Sequence, residues 1–121
     1  MKSICQVGLL TDQPAALISF YRDVLGLTVL FEANGMTFMQ AGATSLMIGA
    51  AAEKPTVGDD VTLYFEPDDW ADTEAQLTQR GVAFERDAMV VQRHGDREHV
   101  LRPFRDPEGR HLYLLGWRAA A

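Results

Sequence analysis

Histidine is the side chain of this sequence best suited to bind a transition metal or to transfer a proton near neutral pH. The chain has three histidines, at positions 94, 99 and 111. His94 lies in the polar run from Gln92 to Arg97, which is typical of a hairpin tip, and His99 begins the next strand among charged residues. This spacing does not predict a shared metal site, and it favours solvated loop positions for His94 and His99.

His111 is the histidine with a second chemical group near it. It precedes Tyr113 by two residues in an apolar run that predicts a strand. Because side chains alternate between the two faces of a strand, His111 and Tyr113 should point to the same face. Such a pair can exchange hydrogen bonds with a ligand or act as a general acid and base. We rank ligand binding or packing above catalysis for this pair.

A second predicted strand carries polar and aromatic side chains on one face. Thr62, Tyr64 and Glu66 alternate there, which places aromatic area among scattered polar groups. Further residues expected to surround a ligand are Phe38, Arg102, Phe104 and Trp117. Together these side chains would sandwich a flat aromatic or amphipathic molecule. The alternative is that they are core residues, as aromatics at strand spacing commonly are.

The composition is that of a globular protein and limits its partners. The 121 residues are 47% hydrophobic and 23% charged, which suits one domain that buries its core without disulfides. A net charge of −6 argues against binding to nucleic acid. Apolar runs are far shorter than the roughly 20 residues of a membrane span, so no membrane partner is expected. The single cysteine, Cys5, cannot form an internal disulfide, which favours a cytoplasmic location, and the apolar run around it predicts a buried thiol.

The first half of the chain predicts a strand, a helix and three further strands. The first strand is expected at residues 4–10, after which Asp12, Gln13 and Pro14 supply a cap and a first helical turn. Apolar residues then recur at helical spacing as far as Leu25, and Gly26 suits a left-handed C-terminal cap. Three short apolar segments predict antiparallel strands at residues 27–33, 36–41 and 44–49.

The second half repeats this order. A strand is expected next, then a helix capped by Asp68 or Asp69 and closed by Gly81, then three strands. The four strands are predicted at residues 61–66, 82–92, 98–105 and 110–117. Module 1 therefore covers about 1–50, a linker about 51–59 and module 2 about 60–118. The repeat predicts one α+β domain over residues 1–121, because neither module can bury its apolar surface alone.

Three motifs carry a resemblance to a known family. They are the run from Val7 to Asp12, the run Phe20-Tyr21-Arg22-Asp23-Val24-Leu25-Gly26-Leu27, and the turn Asp106-Pro107-Glu108-Gly109 before an apolar strand. Together they resemble the vicinal oxygen chelate superfamily, also called the glyoxalase/bleomycin resistance family, over essentially the whole chain. The resemblance implies two tandem βαβββ modules whose concave mixed sheets enclose a cavity.

The resemblance also implies four positions for metal ligands. Enzymes of the family place them on the first, fourth, fifth and eighth strands, which correspond here to Gln6, Met47, Thr62 and Tyr113. A one-residue shift at Met47 would give Leu46 or Ile48, neither of which is a ligand. The set contains no carboxylate and no imidazole, whereas divalent ions need charged or strongly donating ligands. We therefore expect the metal site to be degenerate and no cofactor to be bound.

These expectations favour a non-catalytic protein that binds and sequesters a small planar or amphipathic molecule, as the bleomycin resistance members do. Antibiotic resistance and a homodimer with composite pockets follow from the same resemblance. The predicted ligand-binding residues are Gln6, Phe38, Met47, Thr62, Tyr64, Arg102, Phe104, His111 and Tyr113. One alternative is a glyoxalase-type lyase, isomerase or dioxygenase with an atypical metal site. A third is an interaction domain whose cavity is filled by its own side chains.

Overall fold

A computed structural model describes residues 3–51, 53, 55 and 61–120. The chain divides into two compact units, Met1–Thr56 (unit 1) and Val57–Ala121 (unit 2). Most of the predicted linker, residues 51–59, lies outside the described residues. Each unit holds one sheet and one helical segment, so the α+β class and the two tandem modules are confirmed.

Unit 1 follows the predicted order of one strand, one helix and three strands. Its elements are β1 (Gln6–Thr11), α1 (Pro14–Ser19), β2 (Thr28–Ala33), β3 (Met36–Ala41) and β4 (Thr44–Ala50). A π-helical turn, Phe20–Val24, continues α1. The strands form a mixed sheet in the order β1-β4-β3-β2, in which β1 runs parallel to β4 and the other pairs are antiparallel.

Unit 2 has the same topology. Its elements are β5 (Thr62–Phe65), α2 (Trp70–Gln79), β6 (Met89–His94), β7 (Arg97–Arg105) and β8 (His111–Ala119). The order of the sheet is β5-β8-β7-β6, with β5 parallel to β8. A register shift interrupts the β2–β3 pairing next to Leu30 and the β6–β7 pairing next to Val91, at equivalent places in the two units. The repeat therefore extends to a local irregularity that bends the second strand of each unit.

Helix ends agree with the sequence signals in part. Asp69 caps α2 by accepting a hydrogen bond from the backbone N–H of Asp72 at 2.9 Å, and Gly81 takes a positive φ of 93° after the helix. Within the predicted cap Asp12-Gln13-Pro14, the helix begins at Pro14. The N-cap of α1 is Gln13, whose side chain makes no capping hydrogen bond; its own N–H donates to Thr11 Oγ1 at 2.8 Å.

Each unit buries one face of its sheet together with its helix. In unit 1, Leu17 and Tyr21 of the helical segment are fully buried, and Leu9, Met39, Leu46 and Ile48 complete this core. The corresponding core residues of unit 2 are Trp70, Leu77, Val100, Phe104, Leu112 and Leu114. Alternate residues on the same strands remain accessible. In the part of the chain that the structure describes, no helix is both long and apolar enough to cross a membrane.

Two predictions about local structure are wrong. The strand expected at 82–92 begins only at Met89, because residues 82–88 form an irregular segment. That segment is still bonded to the sheet, since the N–H of Glu85 donates to the carbonyl of Pro103 at 3.0 Å. Cys5 is exposed instead of buried, because it precedes β1 and does not reach the core.

Gly116 is the glycine that packs most closely against the helical side of unit 2. A Cβ added there would lie 3.1 and 3.2 Å from the Pro67 ring and 3.5 Å from Trp70. Because a proline ring cannot move aside freely, we expect Gly116→Ala to lower the free energy of unfolding by about 1 to 3 kcal/mol, as overpacking does. Urea denaturation measures this loss.

Gly8→Ala is the matched control for this prediction. Its added Cβ would meet only the terminal methyl of Met47, at 3.1 Å, and that flexible side chain can rotate away. We expect a loss below about 1 kcal/mol. Equal losses for the two variants would show that the Pro67 contact does not constrain Gly116.

Candidate ligand-binding site

Strand β8 separates a buried face from an accessible one. Leu112, Leu114 and Gly116 are buried toward the helix, whereas their neighbours are half-buried or exposed. Residues of β5 and β7 that pair with the accessible residues of β8 lie on the same face of the sheet. We define the open face of unit 2 as Thr62, Tyr64, His99, Leu101, His111, Tyr113, Leu115 and Trp117.

The two tyrosines of this face are stacked. Tyr64 pairs with Tyr113 across β5 and β8, and their ring centroids lie 5.1 Å apart at an interplanar angle of 10°. Tyr64 is on the edge strand of the sheet and 57% exposed. In the same register Thr62 pairs with His111, so that Thr62, Tyr64, His111 and Tyr113 share a face as strand alternation predicts. A planar molecule can therefore extend the stack on Tyr64.

A second stack on the same face was missed by the sequence analysis. His99 and Trp117 pair across β7 and β8, with ring centroids 4.6 Å apart and an interplanar angle of 14°. His99 lies within β7, inside the strand predicted at 98–105, but it is half-buried and not solvated as expected. His94 is exposed at the end of β6, as expected of a hairpin tip. No local signal reveals the His99–Trp117 pair, because their contact depends on the register of β7 with β8.

Charged groups border the open face at the His111 end. Arg105 pairs with His111 in the β7–β8 register, and its guanidinium contacts Glu85 at 2.8 Å and the carbonyl of Gly109 at 2.8 Å. The side chains of Arg105 and Glu85 are 45% and 36% exposed, so this ion pair contributes little to stability. The Arg105–Glu85 pair forms a polar boundary at the His111 end of a face that is otherwise mostly aromatic and apolar.

Arg102 and Phe104 lie on the opposite face, which corrects their predicted place beside Tyr113. In the register Pro103 is the residue opposite Tyr113, and Phe104 is completely buried. The Arg102 guanidinium contacts Glu74 of α2 at 2.7 Å and lies 4.3 Å from the centre of the Phe84 ring. Arg102 thus holds both the helix and the irregular segment 82–88 to the sheet, and Phe104 contacts that segment through Phe84.

The remaining predicted residues are in unit 1. Phe38 stacks on Phe31 with ring centroids 4.5 Å apart, and Met47 pairs with Phe38 in the β3–β4 register. Gln6 accepts a 3.4 Å hydrogen bond from the hydroxyl of Ser45. Phe31, which the sequence analysis did not single out, is 54% exposed. Unit 1 therefore has an accessible sheet face of its own, with Gln6, Phe38 and Met47 on it.

The four positions at which enzymes of the family hold a metal are occupied here by Gln6, Met47, Thr62 and Tyr113. Tyr113 is engaged in the stack with Tyr64, and the Met47 methyl lies over Gly8. Thr62 and Gln6 offer only neutral oxygens, so the four residues do not fit a divalent ion that needs anionic or imidazole ligands. Among the described residues, no three His, Cys, Asp or Glu side chains are grouped so as to hold a metal.

Comparisons with known proteins agree with this architecture. The solved structures that resemble the chain include an integron cassette protein from the mobile metagenome of V. cholerae, with 16% identity, a TM-score of 0.77 and coverage of 96% of this chain and 95% of that one. A lactoylglutathione lyase from Agrobacterium tumefaciens has 21% identity, a TM-score of 0.71 and coverage of 96% and 94%. A glyoxalase family protein from Enterococcus faecalis has 23% identity, a TM-score of 0.76 and coverage of 95% and 98%. At these identities the likeness concerns the fold alone.

Sequence comparison supplies the family. A search among curated proteins gave no match. A family model described as Glyoxalase/Bleomycin resistance protein/Dioxygenase superfamily matches residues 3–112, which is most of the chain. The matched segment includes both helical regions and the Asp106–Gly109 turn. The chain belongs to the glyoxalase/bleomycin resistance protein/dioxygenase superfamily.

Proposed function

We propose that this protein binds a small planar or amphipathic molecule on the open face of unit 2 and does not transform it. The observation that carries the proposal is the Tyr64–Tyr113 stack, whose outer ring is 57% exposed on an edge strand. A large exposed aromatic side chain beside other accessible apolar groups is a common mark of a binding surface. Sequestration in the manner of bleomycin resistance members, with a homodimer as the working form, is part of the proposal.

The negative net charge of the chain favours a cationic or neutral ligand over an anionic one. The chain has a net charge of −6, which draws cations toward it at low ionic strength. The faces of aromatic rings also attract cations. Arg105, which lies opposite His111 in the register, is already paired with Glu85.

A planar cationic dye tests this proposal directly. We expect proflavine to bind the wild-type protein and Tyr64→Ala to weaken that binding about tenfold or more, because stacking on an aromatic side chain is worth roughly 1 to 3 kcal/mol. Fluorescence titration measures the affinity, and chromatography of the released dye shows whether it is unchanged.

Phe31→Ala is the matched control, because Phe31 is an equally exposed, stacked aromatic (54% against 57%) on the sheet face of unit 1. It should leave the affinity for proflavine unaltered. A loss with Phe31→Ala and none with Tyr64→Ala would move the site to unit 1. Absence of binding to the wild type would reject an aromatic binding face.

An enzyme with an atypical site is the second candidate. The observation in its favour is that His111 lies on the same face as Tyr113 and opposite Thr62, which brings an imidazole to the open face. Family enzymes rely on a metal, so metal binding separates the two candidates.

We expect calorimetric titration with Zn²⁺, Ni²⁺, Mn²⁺ and Fe²⁺ to give no stoichiometric binding, because the donors at the four family positions do not suit these ions. Elemental analysis of protein purified without chelator should agree. Micromolar affinity that disappears in Tyr113→Phe or Gln6→Ala would instead support a metalloenzyme.

A further inference from the structure

The two aromatic stacks of unit 2 lie on one strand at a fixed separation. Tyr113 and Trp117 are both on β8 and both on the open face, four residues apart. A strand advances about 3.3 Å per residue, so these two side chains are about 13 Å apart along the sheet. Each is stacked on a ring from a neighbouring strand, Tyr64 in one case and His99 in the other.

The surface between the two stacks is apolar. Leu115 lies midway between Tyr113 and Trp117 on β8, and Leu101 of β7 is its partner in the register. Both leucines are partly exposed. Along β7 and β8, a molecule that reaches from one stack to the other would therefore cross hydrocarbon at Leu101 and Leu115.

Each stack has one ring available to a ligand, and the two available rings are on the same side of the sheet. Tyr64 belongs to the edge strand β5. The pairing of β5 with β8 ends at Phe65 and Leu114, so it does not extend along β8 as far as Trp117. Trp117 is stacked on His99 from the β7 side and is 39% exposed. One elongated ligand can thus contact both outer rings without crossing the sheet.

We infer that the open face of unit 2 contains two stacking subsites, one on Tyr64 and one on Trp117, and that its ligand is an elongated molecule with a planar group at each end and an apolar middle. This inference rests on the proposed function, since it specifies the class of ligand for the same face. The occupant is a small molecule whose planar ends are separated by about the spacing of four strand residues, roughly 13 Å.

Three probes with the same planar head distinguish one subsite from two. They are 4-methoxybenzamidine, a bis-benzamidine whose rings are joined by a rigid two-carbon bridge, and a bis-benzamidine whose rings are joined through oxygens by a flexible five-carbon chain. Benzamidinium rings are planar and cationic, which suits both the aromatic rings and the net charge of −6. The five-carbon chain is long enough to span the two subsites, and the two-carbon bridge is too short.

The expected result is a gain in affinity that depends on the length of the connection. The five-carbon probe should bind the wild type about tenfold or more tightly than the other two probes, because the second contact becomes intramolecular. Trp117→Leu should abolish that advantage, so that the five-carbon probe binds this variant about as weakly as 4-methoxybenzamidine does. Trp117→Phe should retain most of the advantage, which guards against a general loss of folding, and thermal melts confirm that both variants fold.

Each failure has a separate meaning. If 4-methoxybenzamidine or proflavine binds and depends on Tyr64, but the five-carbon probe has no advantage or Trp117→Leu leaves the advantage intact, the two-subsite inference is overturned and the proposed function stands. If proflavine and all three probes fail to bind the wild type, the proposed function falls and the inference falls with it.

Discussion

Asp106→Ala is expected to lower the free energy of unfolding by about 3 to 5 kcal/mol, because it removes a buried carboxylate that pairs with Arg110 and deprives two backbone N–H groups of their acceptor. The Asp106 carboxylate is fully buried and contacts the Arg110 guanidinium at 3.1 Å. It also accepts hydrogen bonds from the backbone N–H groups of Glu108, at 2.8 Å, and Arg110, at 3.0 Å. This single side chain therefore organises the turn that leads into β8.

The charge of Arg110 is secure in this arrangement. Burial lowers the pKa of Arg110, but its hydrogen bonds to Glu108 and Asp106 outweigh burial and raise the pKa above the ordinary value. A raised pKa means that this contribution to stability is fully present below the ordinary pKa of an arginine side chain and is lost only as the pH rises beyond the folded-state value. Titration of Arg110 will therefore not influence measurements near neutral pH.

Urea denaturation measures the effect of Asp106→Ala, and Asp23→Ala is its control. Asp23 makes a comparable contact with Arg22 at 2.8 Å, but the side chains are 60% and 47% exposed, so its removal should change little. Asp106→Asn should fall between the two, because an amide oxygen can still accept the backbone hydrogen bonds. If Asp106→Ala is as stable as Asp23→Ala, the turn does not depend on the carboxylate.

Phe104→Ala is expected to cost about 3 to 5 kcal/mol of unfolding free energy, as removal of a buried phenylalanine does. Phe104 is completely buried, and its ring contacts Phe84 edge-on with centroids 5.7 Å apart. Because the side chain lies on the face opposite Tyr113, the folded variant should bind proflavine as the wild type does. Chemical denaturation gives the stability, and dye titration well below the unfolding midpoint gives the affinity.

Stability and dye affinity of Phe104→Ala, taken together, test whether Phe104 lies on the face opposite Tyr113. The opposite pattern, a large loss of affinity with little loss of stability, would return Phe104 to the ligand site, where the sequence analysis expected it. Phe84→Ala extends the test, since Phe84 packs on the same side of the sheet and should behave like Phe104 with a smaller loss of stability.

Local signals account for the parts of the fold that were predicted correctly. Asp69 caps α2 and Gly81 follows it with a positive φ, because these residue types meet demands that a helix end makes wherever it occurs. The order of strands and helix in each unit follows from apolar periodicity and turn residues. The shared face of His111 and Tyr113 follows from alternation within a single strand.

Predictions for β7 that needed its register with β8 failed. Alternation within β7 predicts that Arg102 and Phe104 share a face. Only the pairing of Pro103 with Tyr113 shows that this is the face opposite the tyrosines. The charge of Arg102 favours an accessible position in a sequence-based prediction, because its partner Glu74 is 28 residues away in α2 and is not recognisable from the sequence. The stack of His99 on Trp117 depends on the same register.

The measurement that tests the central claim most directly is a map of backbone amide shifts in ¹H–¹⁵N spectra during titration with proflavine. We expect the largest changes along β5 and β8, at Thr62–Phe65 and His111–Trp117, with little change on α2. Saturable changes confined to unit 1 or to α2, with β5 and β8 unaffected, would contradict the assignment of ligand binding to the open face of unit 2.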